Sequence, residues 1–363
     1  MTAFVIDELI EKANTLPARF YTDPEIFEEL KEKVFTRSWQ FIADTNAVKV
    51  QGDMYPFSFL EGYVDEPLLF TKDGNEQLHC LSNVCTHRGN ILVKNPTNGN
   101  RVMCGYHGRC FELDGSFRSM PETKGMENFP APSDNLAKAP FAQWSKFLFA
   151  SINPAFDFRE LVDDMEKRIG WMPLRDFWFE PVRSQDYLVK ANWALYVDNY
   201  LEGFHIPFIH KELANALDFG NYGYEMYEYA NLQLGIGKSG DVLFDLPATS
   251  PDYGKNVAAY YYWLFPNMMF NFYPWGLSMN IVKPIGPELS KVSYRAYVWD
   301  ETKLNMGAGG AIDKVEREDQ NIVEAVQRGV KSRLYKQGRF SPKMEKGVHH
   351  FHSLLSRFMN ESD

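Results

Sequence analysis

Two short stretches, Cys85-Thr86-His87-Arg88-Gly89 and Cys104-Gly105-Tyr106-His107-Gly108, decide how this chain is read. Each offers one thiol and one imidazole, and the length between them suits two hairpin loops meeting at their tips. Gly89, Gly105 and Gly108 let the backbone turn tightly and come close to whatever the loops hold. Backbone N–H groups brought near bound sulfur would stabilise its negative charge. A structural zinc site also uses two Cys and two His, but its usual spacing pairs cysteine with cysteine and histidine with histidine. Here each pair is mixed.

Mixed pairs are the pattern of a Rieske [2Fe–2S] centre, with Cys85 and Cys104 on one iron and His87 and His107 on the other. Zinc and chance placement are the competing readings. The surroundings suit loops on a small antiparallel β domain. From Trp39 to Ser151 short apolar runs (68–70, 78–81, 147–152) alternate with turns such as Asp73-Gly74-Asn75 and Asp114-Gly115. Phe129-Pro130-Ala131-Pro132 leads towards its end and Asn153-Pro154 closes it.

Before this domain, Asp23-Pro24 opens a helix whose buried face is Ile26, Phe27, Leu30 and Val34. After it the pattern predicts a helix over 158–168, a strand over 182–190 and a helical segment from Asn192 to about Phe204. Strands follow between 222 and 299, then a long helix over 311–331. The expected class is α+β, a β domain inserted into a larger α+β domain. The divisions are 1–38 for an N-terminal helical segment, 39–154 for the [2Fe–2S] domain and 155–363 for the remainder.

Composition narrows the partners. With 38 Lys and Arg against 48 Asp and Glu, the net charge of −10 repels phosphate backbones, so nucleic acid is not expected. The 4 cysteines are too few to staple such a chain, and reduced thiols in a cytoplasmic protein are expected. Cys80 and Cys110 lie outside both loops and read as small core residues. The uncharged stretch 256–282 is interrupted by Pro266, Asn267, Asn271, Pro274, Gly276 and Asn280, which predicts buried strands rather than a membrane helix.

The paired Cys-Thr-His-Arg-Gly and Cys-Gly-Tyr-His-Gly motifs resemble those of the Rieske non-haem iron oxygenases. Respiratory Rieske proteins carry an additional cysteine in each loop, absent here, so a low cluster potential of about −150 mV is expected.

A second constellation lies in 192–210. Read as a helix, Trp193, Tyr196, Val197, Tyr200 and Phe204 form an apolar stripe, while Asp198, Glu202 and His205 share another face. Pro207 is expected to end the helix, letting His210 turn back towards His205. On the long helix Ile312, Val315, Asp319, Ile322 and Val326 follow a 3-4-3-4 spacing, placing Asp319 within a buried stripe and its neighbour Glu318 in solvent. A buried carboxylate is costly unless it binds a cation. Two histidines and one carboxylate form the facial triad of non-haem Fe(II) oxygenases, and His205, His210 and Asp319 are the candidates.

The resemblance extends over 192–210 and from Glu318 to about Phe351. It implies a helix-grip α+β catalytic domain, a homotrimer, and electrons from an NAD(P)H-dependent flavin or iron–sulfur reductase. It implies further that the acid three residues before the first iron ligand, Glu202, joins His205 to His107 of a neighbouring subunit. Glutamate there resembles the choline and carnitine monooxygenase branch. Asp198 and Asn199 are expected to orient the ligands. Arg88 and Arg109, flanking the cluster loops, are expected either to bond across the subunit contact or to be solvated. Trp39 and Trp193 read as core. His349-His350-Phe351-His352 reads as a trimer contact or surface helix.

The expected activity is O2-dependent monooxygenation of a small molecule, with N-demethylation or hydroxylation of a quaternary ammonium compound foremost. A pocket is expected among Tyr222, Tyr224, Tyr227, Tyr229, Tyr260, Tyr261, Tyr262, Phe270, Phe272, Tyr273 and Trp275, whose rings suit a quaternary ammonium or a flat arene. The alternatives are cis-dihydroxylation of an aromatic ring and a Rieske electron carrier without oxygen chemistry.

Overall fold

The computed structural model describes residues 3–210, 223–238, 240–310 and 312–361. The chain divides into two compact units, Met1–Phe35 with Phe156–Asp363, and Thr36–Ala155. Helix α1 (Pro24–Leu30) opens where the Asp23 side chain accepts the Glu25 N–H at 2.9 Å, and it buries Ile26, Phe27 and Leu30.

The unit Thr36–Ala155 is built of short antiparallel strands. They are β1 (Gln40–Asp44), β2 (Asp53–Phe59), β3 (Glu66–Lys72), β4 (Leu78–Ser82), β5 (Thr97–Asn98), β6 (Val102–Met103), β7 (Cys110–Phe111), β8 (Phe117–Ser119), β9 (Phe141–Trp144) and β10 (Phe147–Ala150). They form sheets ordered β4-β3-β2-β5, β1-β10-β9 and β6-β7-β8. Leu69, Leu81, Val102 and Phe111 centre one core cluster, and Cys85 and Cys104 belong to it, so the two cysteine-histidine loops are rooted in packed side chains. Cys80 and Cys110 are buried and unbridged, and burial pushes the Cys80 thiol up to about 12. Trp39 is also buried.

The other unit continues with α2 (Phe158–Ile169), β11 (Trp178–Glu180), β12 (Asp186–Val189), α3 (Trp193–Tyr200), α4 (Ile206–Ile209), β13 (Gly223–Met226), β14 (Ala230–Ile236), β15 (Val257–Leu264), β16 (Met268–Tyr273), β17 (Gly276–Gly286), β18 (Leu289–Val298), α5 (Ile312–Val330) and α6 (Lys346–Asn360). Its antiparallel sheet runs β11-β18-β17-β16-β15-β14-β13, with β12 also on β18. The uncharged stretch supplies β15, β16 and the start of β17, almost wholly buried. Among the described residues no helix is long and apolar enough to cross a membrane. Helix α3 packs on α5 and β17. Trp193 is buried between Phe35 and Phe351, edge-on to both rings.

Three local expectations are corrected. The strand over 182–190 is shorter, because Pro181–Arg183 forms a 3₁₀ turn before β12. Helix α3 stops at Tyr200 rather than near Phe204, because the Glu202 carboxylate folds back onto the N–H groups of Phe204 and His205 and breaks the ladder. Pro207 therefore does not end that helix; it sits in the first turn of α4, where its missing N–H costs nothing. The third concerns α6, which is not a surface helix. It buries Val348, Phe351, His352, Leu354 and Phe358 within its own unit.

Candidate metal centres

The two cysteine-histidine loops share one backbone design. Cys85 N–H donates to Asn90 O (2.8 Å) and Gly89 N–H to Cys85 O (3.0 Å); Cys104 N–H donates to Arg109 O (2.8 Å) and Gly108 N–H to Cys104 O (3.1 Å). Gly89 and Gly108 both hold φ at +69°, the left-handed region that disfavours a side chain. The N–H groups of His87 and Arg88 face the Cys85 sulfur, and those of Tyr106 and His107 face Cys104. Asn90 Nδ2 approaches Cys104 Sγ at 3.6 Å. The His87 and His107 rings stand 4.8 Å apart between centroids. The His87 Nδ1 atom is buried without a hydrogen-bond partner, an orphan that a bound iron would satisfy. Two thiols ringed by N–H donors, with two adjacent imidazoles, fit a [2Fe–2S] cluster.

Arg88 is exposed. Arg109 is neither solvated nor free to reach another subunit. It is 3% exposed, pairs with Asp134 at 2.5 Å and lies over the rings of Phe117 and Phe129.

The second donor set is assembled from the chain break and α5. His205 and His210 flank the single turn α4, with ring centroids 5.1 Å apart. The Nε2 atoms of His210 and His205 lie 2.9 Å and 3.5 Å from Asp319 Oδ1. Bonds of about 2.1 Å at right angles would put neighbouring donors about 3.0 Å apart, so these side chains fit one octahedral metal ion. The outward nitrogens are also tied. His205 Nδ1 meets Glu202 Oε1 at 2.6 Å, and His210 Nδ1 meets Glu318 Oε2 at 2.7 Å. Asn199 Nδ2 donates to Asp319 Oδ1 at 2.7 Å. Carboxylates on both Nδ1 atoms fix the tautomers and aim both Nε2 lone pairs inward.

Glu318 is thus corrected. It is not left in solvent, because His210 approaches α5 from the side and touches both neighbouring acids. The expected stripe is also displaced: Val326 is exposed, while Val323, Gln327 and Val330 are buried. The side chain of Ile312 lies outside the described residues.

Asp198 touches none of the three donors. It accepts from Tyr21 Oη at 2.8 Å and meets His352 Nε2 at 2.8 Å. His352 Nδ1 accepts the Leu16 N–H at 3.1 Å, so in the neutral ring Nε2 carries the proton given to Asp198. The histidine-rich tail therefore works inside its own unit, tying the N-terminal segment to α3. The sequence signal was available, since His352 lies on the apolar face of an amphipathic helix.

Beside the second donor set is a cavity of about 90 Å³. Of the aromatic residues expected there, Tyr261 and Tyr273 line it. Tyr260, Tyr262, Phe270 and Phe272 are core residues instead; Tyr222 lies outside the described residues. Sequence reasoning missed Tyr196, Tyr200 and Glu316 as lining residues. Glu316 accepts from Tyr294 Oη (2.6 Å), Tyr196 Oη (2.7 Å) and Asn280 Nδ2 (2.9 Å). Burial, with the nearby Asp319 charge, pushes its carboxyl up to about 7. Its spacing gave a usable signal, because it precedes Asp319 by three residues and so shares its helix face.

Comparison with known proteins finds a family match over each part of the chain that carries a donor set. The family of Rieske [2Fe–2S] domains matches residues 38–130, and that of ring hydroxylating alpha subunits (catalytic domain) matches residues 176–361. The chain is 29% identical to the chloroplastic choline monooxygenase of Spinacia oleracea, over 96% of this chain and 79% of that one. It is 28% identical to the carnitine monooxygenase oxygenase subunit of Escherichia coli K12, over 97% and 95%. A crystal structure of the quaternary ammonium Rieske monooxygenase CntA shares the fold with a TM-score of 0.78 at 23% identity, over 99% of this chain and 100% of that one.

Proposed function

The chain belongs to the ring hydroxylating alpha subunits that carry a Rieske [2Fe–2S] domain, and from that premise we propose that it is a terminal oxygenase that monooxygenates a small quaternary ammonium compound. The names of its choline- and carnitine-oxidising relatives support the substrate class. The observation that carries the reading is the tied pair of imidazoles aimed at Asp319 beside a small, tyrosine-lined cavity. A space of about 90 Å³ is far below the roughly 300–1,000 Å³ of drug-sized sites, which favours a compact substrate.

In this reading Cys85, His87, Cys104 and His107 hold the cluster, and His205, His210 and Asp319 hold one Fe(II). When bound, these groups supply electron delivery and O2 activation. The chain's own residues do the rest. Glu202 and Glu318 accept the Nδ1 protons and so orient the imidazoles, and Asn199 holds the Asp319 carboxylate in place. The tyrosine walls bind the substrate and exclude water. Overall, O2 with two electrons and two protons gives one oxygen atom to the product and one to water.

Electrons come from an NAD(P)H-dependent flavin or iron–sulfur reductase. The oxygenase works as a homotrimer in which Glu202 reaches His107 of the partner subunit. The His205→Ala variant tests this scheme. It is expected to lose one iron per chain, keep the cluster's visible absorption and lose substrate oxidation; unchanged iron content and activity would refute the two-site reading.

A further inference from the structure

Three acids line the cavity: Glu202, Glu316 and Asp319. Asp319 faces the two Nε2 atoms, and Glu202 is bound to His205. Glu316 has neither task. It sits one helical turn before Asp319, and its three hydrogen-bond partners, Tyr196, Tyr294 and Asn280, are all neutral. They pin its position but supply no positive charge, so burial still disfavours its carboxylate form and a cation placed beside it would favour that form. No Lys or Arg lines the cavity among the described residues. An acid held among neutral donors in an enclosed space is an incomplete ion pair.

The neighbouring walls suit the missing partner. Tyr200, Tyr261 and Tyr273 line the same cavity, and aromatic faces attract an alkylammonium group. The Tyr261 hydroxyl is buried and makes no regular hydrogen bond, with the Tyr273 side chain as its neighbour. A hydroxyl on the substrate would satisfy it; a substrate carboxylate would instead meet acids and find no described basic residue.

We propose that Glu316 is the specificity-determining residue of this site, and that it selects a compact hydroxylated monocation of the choline type over zwitterions such as carnitine and glycine betaine. This rests on the quaternary ammonium reading given above and narrows it. Glu316 pairs with the positive charge, and the described walls, which hold three acids and no Lys or Arg, disfavour a carboxylate.

The test is calorimetric binding to the iron- and cluster-loaded protein without O2. The probes are choline, its uncharged isostere 3,3-dimethylbutan-1-ol, L-carnitine and glycine betaine. Choline is expected to bind at least about tenfold tighter than each of the other three. Glu316→Gln is expected to weaken choline about tenfold and to leave the isostere within about twofold, so isostere binding also reports that the variant is folded. An unchanged choline-to-isostere ratio in Glu316→Gln would overturn the proposal. So would carnitine or betaine binding as tightly as choline in the unaltered protein, a measurement that needs no variant. If carnitine or betaine is bound and oxidised while choline is ignored, the quaternary ammonium reading stands and this inference falls. If no ammonium compound is bound or oxidised, both fall.

Discussion

His210 and Glu318 are joined at 2.7 Å through Nδ1, and this contact turns the opposite nitrogen of the ring to within 2.9 Å of Asp319. Two neighbouring acids of one helix therefore act on one imidazole, Asp319 as its companion in the donor set and Glu318 as its orienter. Removing such an orienting carboxylate typically weakens metal binding about 10–100-fold. Glu318→Ala is expected to lose its mononuclear iron to a chelator at correspondingly lower concentration, with cluster absorption unchanged. Iron retention equal to the unaltered protein would show that Glu318 is dispensable.

The contacts of Asp198 predict a different outcome. Asp198→Ala removes the shared acceptor of the Tyr21 hydroxyl and His352 Nε2 and leaves them only each other, 3.2 Å apart. Losing a buried charged acceptor costs about 1–3 kcal/mol, so the melting temperature is expected to fall by a few degrees. Iron content should stay the same. Loss of iron without loss of stability would return Asp198 to the ligand-orienting role expected from sequence.

The cluster loops allow a controlled comparison of glycines. Gly108 holds φ at +69°, and the nearest atom to an added Cβ is Pro121 Cγ at 3.5 Å, so the obstacle is conformational rather than steric. Gly108→Ala is expected to cost about 1–2 kcal/mol and to lower cluster loading, measured as acid-labile sulfide per chain. Gly105→Ala meets nothing within 4 Å and needs no positive φ, and it should load normally.

Acid stability is expected to depend on Asp252, which is fully buried and pairs with Arg168 at 2.5 Å and Lys255 at 2.7 Å. Burial alone would raise its pKa, but hydrogen bonds from Lys255 and Arg168 outweigh burial and hold the carboxyl below the usual range. A depressed folded-state pKa contributes stability above the ordinary aspartate value, and that stability is lost as pH falls through the depressed one. Asp252→Asn should therefore destabilise the protein at neutral pH, by about 3 kcal/mol, and flatten the acid limb of a melting-temperature profile. An acid limb unchanged in slope would rule out this origin.

The sequence carried the donor atoms well, and it carried less about what surrounds them. Mixed Cys-His pairs and an acid within an apolar stripe are local patterns, set by chemistry that tolerates few substitutes. His205 and His210 were legible for the same reason. Glu318 was misread because helix periodicity tells which face an acid occupies, not that a ring from another segment will arrive at the side of that face. Pro207 was misread because a proline both ends helices and starts them, and the deciding event was the Glu202 side chain capping Phe204 and His205. Asp198 was misread for a long-range reason: its partners, Tyr21 and His352, lie at opposite ends of the chain. Most of the aromatic region filled the sheet core because β15 and β16 are buried on both faces, leaving the cavity to Tyr261 and Tyr273.

The most direct measurement is a single turnover of the chemically reduced, iron- and cluster-loaded protein exposed to O2 with choline. It needs no reductase. The account predicts an aldehyde product, betaine aldehyde or formaldehyde, in an amount approaching the mononuclear iron and absent from His205→Ala. No aldehyde from choline or any other quaternary ammonium compound, with a cis-diol formed from a simple arene under the same conditions, would contradict it.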